Sequence, residues 1–127
     1  MIKTKSLKRT VDSKVLFTKI DLELPSNQIT GLLGANGAGK TSLFRAIAGL
    51  SGIDSGELTF FDKDLLDMTL EERATAGLCY VPQENSLFED LTLLENLMAV
   101  IELKFRHITD KKNKETESLL KKMNLFE

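Results

Sequence analysis

Residues Gly34-Ala35-Asn36-Gly37-Ala38-Gly39-Lys40-Thr41 fit the pattern G-x-x-x-x-G-K-[ST] in full, and no other stretch constrains the chain as strongly. The glycines allow a turn tight enough for successive backbone N–H groups to converge, which a run of side chains with Cβ atoms would obstruct. Converging N–H groups attract an anion. Lys40 adds a mobile cation suited to the β- and γ-phosphates of a nucleotide, and the Thr41 hydroxyl suits a Mg2+ ligand. A helix starting here would aim the positive end of its dipole at the same anion.

The flanking residues supply the context that such a loop needs. Residues 28–33, QITGLL, read as a buried strand entering the loop. Residues 42–50 read as a helix with apolar side chains at Leu43, Phe44, Ile47, Ala48 and Leu50. Strand, glycine loop and helix in that order is the arrangement in which the pattern binds phosphate.

Composition narrows the remaining classes. At 127 residues, 42% hydrophobic and 28% charged, the chain suits one soluble domain with a modest core. A net charge of −2 gives no field for non-specific nucleic-acid binding, so no nucleic-acid partner is expected. The single Cys79 cannot form an internal disulfide, which fits a reducing cytoplasm, and its apolar neighbours mark it as a buried strand residue. Lys3, Lys5, Lys8 and Arg9 precede no apolar signal segment. The longest apolar-rich stretch, 91–103, is interrupted by Thr92, Glu95, Asn96 and Glu102 and is too short to span a bilayer. Any membrane role must come through a partner.

Residues 2–11 and 15–24 read as strands of an antiparallel start, and 57–61 as a strand closed by Asp62-Lys63. Thr69 and Glu72 form a candidate capping box for a short helix through Ala76, and 78–81 return as a strand ended by Pro82. A second capping box, Thr92 to Glu95, opens a helix whose Leu93, Leu94, Leu97, Met98, Val100 and Ile101 are expected to pack in a core. From Lys104 onward one amphipathic helix carries Leu119, Leu120 and Met123. Lys111, Lys112 and Lys114 read as its solvated face and His107 as a surface residue.

The loop 34–41, the strand run Ser55-Gly56-Glu57-Leu58-Thr59-Phe60, the run Tyr80-Val81-Pro82-Gln83 and the run 87–97 together resemble an ATP-binding-cassette (ABC) ATPase. Within that family the chain is most similar to the ATP-binding subunits of lipopolysaccharide export, and next to those of branched-chain amino-acid import. The resemblance implies an α/β fold of the P-loop NTPase, ABC type. That fold comprises an antiparallel β subdomain, a partial mixed sheet with flanking helices and part of a helical subdomain, with the C-terminal half of the domain absent. Residues 1–90 would form the nucleotide-binding core and β subdomain, and 91–127 the start of the helical subdomain.

By the same resemblance, Gly34, Ala35, Asn36, Gly37, Ala38, Gly39, Lys40, Thr41 and Ser42 would bind ATP, and Thr41 with Gln83 would reach Mg2+. Gln83 would be the Q-loop glutamine that positions the attacking water, a task suited to an amide that both donates and accepts. Residues after Gln83 would meet the membrane subunits of a transporter. The complete domain would form a homodimer, peripheral on the cytoplasmic face of the membrane. Two departures stand against this pattern. Val11 occupies the position where an aromatic residue usually stacks on adenine, and no apolar strand ending in Asp-Glu, no LSGGQ-like signature and no later switch histidine follows Gln83. The expectation is therefore a truncated ATPase half, with a non-catalytic nucleotide-binding module or a non-functional remnant as the alternative. A small P-loop kinase fits less well, because its P-loop strand usually opens the chain. Unpaired, residues 28–33 would leave a bare edge and an uncovered apolar face.

Overall fold

Alternating strand-formers in the first 24 residues produce a long antiparallel pair in the computed structural model, which describes residues 1–84, 86–104 and 109–125. Strand β1 (Ile2–Val11) turns into β2 (Lys14–Leu24) through Asp12 and Ser13, whose φ angles of 48° and 65° are those of a tight two-residue hairpin. The other edge of β1 pairs antiparallel with β3 (Ser55–Phe60), and a short β4 (Lys63–Asp64) folds back on β3. The strand order is β2-β1-β3-β4.

Helix α1 (Lys40–Ala48) follows the glycine loop and buries Leu43, Ala46 and Ile47 in one cluster with Leu7, Phe17, Leu58 and Leu65. These apolar side chains supply the main favourable free energy of this region. Helix α2 (Leu70–Thr75) begins at the predicted capping box: the Glu72 N–H donates to the Thr69 hydroxyl at 3.2 Å, and the Thr69 N–H donates to the Glu72 carboxylate at 2.7 Å. These bonds, the backbone one first, hold the Glu72 carboxyl below its ordinary pKa.

The chain divides into two compact units, Met1–Val81 and Pro82–Glu127. In the second, α3 (Leu93–Lys104) starts at the predicted box, with the Thr92 N–H donating to the Glu95 carboxylate at 2.8 Å. Asn96 is buried and holds the approach to α3. Its amide donates to the carbonyls of Phe88, Leu91 and Thr92, each at 3.0 Å, and its Oδ1 accepts from the Phe88 N–H at 2.8 Å. Helix α4 (Thr109–Lys122) buries Leu120, half-buries Leu119 and exposes Lys114. His107 and the side chains of Lys111 and Lys112 lie outside the described residues.

Three expectations are corrected. Residues 28–33 and 78–81 form no strand, and Cys79 is exposed rather than buried. A strand is completed by hydrogen bonds to a neighbour, and among the described residues neither segment has one, so the sheet they form is antiparallel and shows no mixed part. The apolar face of α3 is also mostly uncovered: Ile101 is buried and Leu97 half-buried, whereas Leu93, Leu94, Met98 and Val100 are exposed. Helical periodicity marked that face, and α4 packs against α3 but the described residues cover the face only in part.

Candidate functional site

The glycine loop lies against β2, and the closeness of that approach dictates one of its residues. Gly39 has φ 87°, and a Cβ built on it would stand 2.5 Å from the carbonyl oxygen of Leu16. Only glycine fits there. Gly37 also has positive φ, 77°, but faces open space. The turn 35–38 around Gly37 is closed by the Ala38 N–H donating to the Ala35 carbonyl at 3.2 Å.

Gly39 is the N-cap of α1, and no side chain caps that end. The first intrahelical bond runs from the Leu43 N–H to the Gly39 carbonyl at 2.9 Å, so the N–H groups of Lys40, Thr41 and Ser42 have no protein acceptor among the described residues. With no acidic residue in the first turn, this end of α1 is open to an anion. Lys40 is half-buried and folds over the loop, its ammonium donating to the carbonyls of Gly34 at 2.6 Å and Ala35 at 2.7 Å. The cation is thus held at the start of the same loop. Gly34, Ala35, Asn36, Ala38 and Thr41 are exposed, and Ser42 is half-buried.

The opposite end of α1 is tied down by a residue that local sequence does not reveal. Arg73 in α2 is only 6% exposed. Its guanidinium donates to the carbonyls of Ala46 at 3.2 Å and Ile47 at 2.7 Å in the last turn of α1, to Met68 at 3.2 Å, and to Leu65. Burial pushes its pKa down and the charge of Asp64 opposes that shift. A cation here complements the negative end of the α1 dipole. Gly49 completes the cap in the left-handed conformation, and the Leu50 N–H donates to the Arg45 carbonyl at 2.8 Å. Any signal for Arg73 lies 26 and 27 residues upstream, where its acceptors are.

The structure therefore brings residues 34–42 together as one loop and helix start. Gln83 lies exposed on a bend at the start of the second unit, and Val11 ends β1 partly exposed. Residues 17–127 match the family model described as ABC transporter. The chain belongs to the ABC transporter family.

This ABC chain is 34% identical over 125 residues to the lipopolysaccharide export system ATP-binding protein LptB of Haemophilus influenzae, a match covering 98% of the chain and 52% of LptB. LptB of Escherichia coli K12 is 37% identical over 100 residues, covering 79% of the chain and 42% of that protein. The sulfate/thiosulfate import ATP-binding protein CysA of Mannheimia succiniciproducens is 36% identical over 105 residues, covering 83% and 28%. Among solved structures, the dimeric bacterial ABC transporter cassette MJ0796 superposes with a TM-score of 0.77 at 22% identity, over 95% of this chain and 56% of that one. MJ0796 is also known as a dimer in a post-hydrolysis state bound to ADP and Pi, with a TM-score of 0.75 at 21% identity. The fold is that of an ABC cassette. The ABC chain spans about half the length of the curated relatives it matches, and no helix among its described residues is long and apolar enough to cross a membrane.

Proposed function

We propose that the chain binds Mg-ATP at residues 34–42 as the nucleotide-holding part of an ABC transport ATPase. The observation carrying this reading is the uncapped start of α1: three N–H groups without a protein acceptor among the described residues, following a loop with glycines at positive φ, and the Lys40 ammonium held on the Gly34 and Ala35 carbonyls of that loop. Phosphate oxygens would satisfy those donors and draw Lys40 off its loop carbonyls. The Thr41 hydroxyl, with Gln83 by family resemblance, would hold Mg2+, which when bound neutralises charge on the phosphates. The 34–37% identity to two LptB proteins favours lipopolysaccharide export as the process served, through membrane subunits met by the segment after Gln83. Cargo choice belongs to those subunits.

The test is thermal unfolding with and without Mg-ATP, alongside phosphate release. Nucleotide at about 100 times its Kd stabilises the folded chain by about 2.7 kcal/mol. The shift is expected in the native chain and absent in Lys40→Ala. A native chain that shows no shift refutes the reading. Since the acidic pair and signature expected of this family do not follow Gln83 in these 127 residues, phosphate release no higher than that of Lys40→Ala is expected. That outcome favours the non-catalytic nucleotide-binding reading for the chain alone.

A further inference from the structure

The sheet meets α1 at both ends, and at the second it does so through Arg73. At the start of α1, Gly39 lies against the Leu16 carbonyl of β2. At the other end the Arg73 guanidinium spans two elements, donating to the Ala46 and Ile47 carbonyls of α1 and to the Leu65 and Met68 carbonyls of the connection between β4 and α2. Leu65 is itself fixed to the sheet, since its N–H donates to the Leu58 carbonyl of β3 at 2.8 Å. A bracket therefore runs from β3 to the last turn of α1. Gly49 lies against the guanidinium, where a Cβ would stand 3.0 Å from its central carbon.

Capping alone does not explain a guanidinium in that place. The Gly49 and Leu50 N–H groups already donate to the Ala46 and Arg45 carbonyls, so the Ala46 carbonyl has a partner without Arg73. All four acceptors of Arg73 are neutral carbonyls, and a cation only 6% exposed is costly to bury on such partners. What the guanidinium adds is direction. The core contacts of Leu43, Ala46 and Ile47 are non-directional and tolerate small rotations of the helix. Hydrogen bonds from a planar fork weaken steeply when their angles change.

The turn that carries the free N–H groups inherits that direction. Lys40, Thr41 and Ser42 are not buried, and Leu43 is the first residue of α1 in the core. Ile47 stands about 9 Å of helix rise from Thr41, so a tilt of about 10° moves one end relative to the other by roughly 1.5 Å. Groups that grip a ligand need to be held within about 0.5 Å.

Resting on the nucleotide reading above, we propose that Arg73 is a positioning residue for the phosphate site: it fixes the axis of α1 so that the N–H groups of 40–42 converge on the bound phosphates. It acts through α1.

The experiment compares the native 127-residue chain with Arg73→Lys, which keeps the charge and loses the fork, and with Gly49→Ala, which drives a methyl against the guanidinium. Thr4→Ala is the control for general destabilisation. It removes a buried hydroxyl that bonds the Ile20 carbonyl and the Leu22 N–H within the β1–β2 pair and has no bond to α1. Each chain is titrated with Mg-ATP by calorimetry at a temperature where circular dichroism shows it folded, and the amides of 40–42 are followed by NMR without nucleotide. Arg73→Lys and Gly49→Ala are expected to shift those amide signals and to weaken Mg-ATP binding by about tenfold. Thr4→Ala is expected to leave the signals in place and Kd within about twofold of native. Unmoved signals or a native Kd in the Arg73 and Gly49 variants overturn the proposal, as does an equal weakening in Thr4→Ala. A native chain that binds no Mg-ATP refutes the nucleotide reading instead, and the amide signals alone then decide whether Arg73 orients the first turn of α1.

Discussion

Replacing Gly39 by alanine tests whether β2 shapes the phosphate loop. Two costs are expected. The backbone at φ 87° disfavours any residue with a Cβ, by about 1–2 kcal/mol. The new methyl would also stand 2.5 Å from the Leu16 carbonyl oxygen, well inside van der Waals contact, and forcing the backbone apart costs about 1–3 kcal/mol. Gly37→Ala separates the two, because it meets a similar φ of 77° with nothing within 4 Å. Urea unfolding followed by circular dichroism should therefore show Gly37→Ala losing about 1–2 kcal/mol and Gly39→Ala about 2–5 kcal/mol. A gap of that size moves Tm by roughly 4 °C or more in a unit of this length. If the two variants agree within about 0.5 kcal/mol, the close approach of β2 contributes nothing.

Arg73→Met removes the donor from four carbonyls and should cost about 3 kcal/mol or more by urea titration. Arg73→Lys keeps the charge but not the planar fork, so a lysine variant as stable as the native chain would refute the assigned geometry. Asn96→Ala, which strips the carbonyl and amide partners of Phe88, should cost about 1–3 kcal/mol and speed hydrogen exchange at the Phe88 amide; unchanged exchange there would count against its role as a loop anchor. Glu72 has a folded pKa below the ordinary value near 4.5 because it accepts hydrogen bonds from Thr69. Its ionised form therefore stabilises the fold above about pH 4.5, and that contribution is lost as pH falls through the lower folded value. The Tm difference between the native chain and Glu72→Gln should shrink from pH 7 to pH 3, and a difference independent of pH would remove the charge from the explanation.

What the sequence disclosed was local. Residues 2–11 and 15–24 were legible as an antiparallel start, and the Thr69/Glu72 and Thr92/Glu95 spacings specified two helix starts, because each capping device is contained within four residues. The phosphate loop was legible for the same reason. What escaped depended on residues far away in the sequence or on pairing that the described residues do not supply. An apolar run such as 28–33 reads as a strand whether or not a neighbour exists to pair with it, and among the described residues no strand pairs with it. Arg73 sits in Leu-Glu-Glu-Arg-Ala-Thr, a stretch that reads as a solvated short helix. Only the fold shows that its acceptors are the α1 carbonyls. The apolar face of α3 was marked correctly by periodicity, yet periodicity does not report whether anything covers it.

The tie between Arg73 and the last turn of α1 also sets an order of events. At nine residues α1 is shorter than the roughly 12–15 that an isolated helix needs to persist in water, so it depends on packing of its apolar face and on partners for its last carbonyls. Its terminal carbonyls wait for a side chain that leaves the ribosome 26 and 27 residues after them. During synthesis, then, the glycine loop is complete in sequence well before its N–H groups can converge. A nascent chain halted between residues 50 and 72 would carry every residue of the phosphate loop and still offer no formed cradle to an anion.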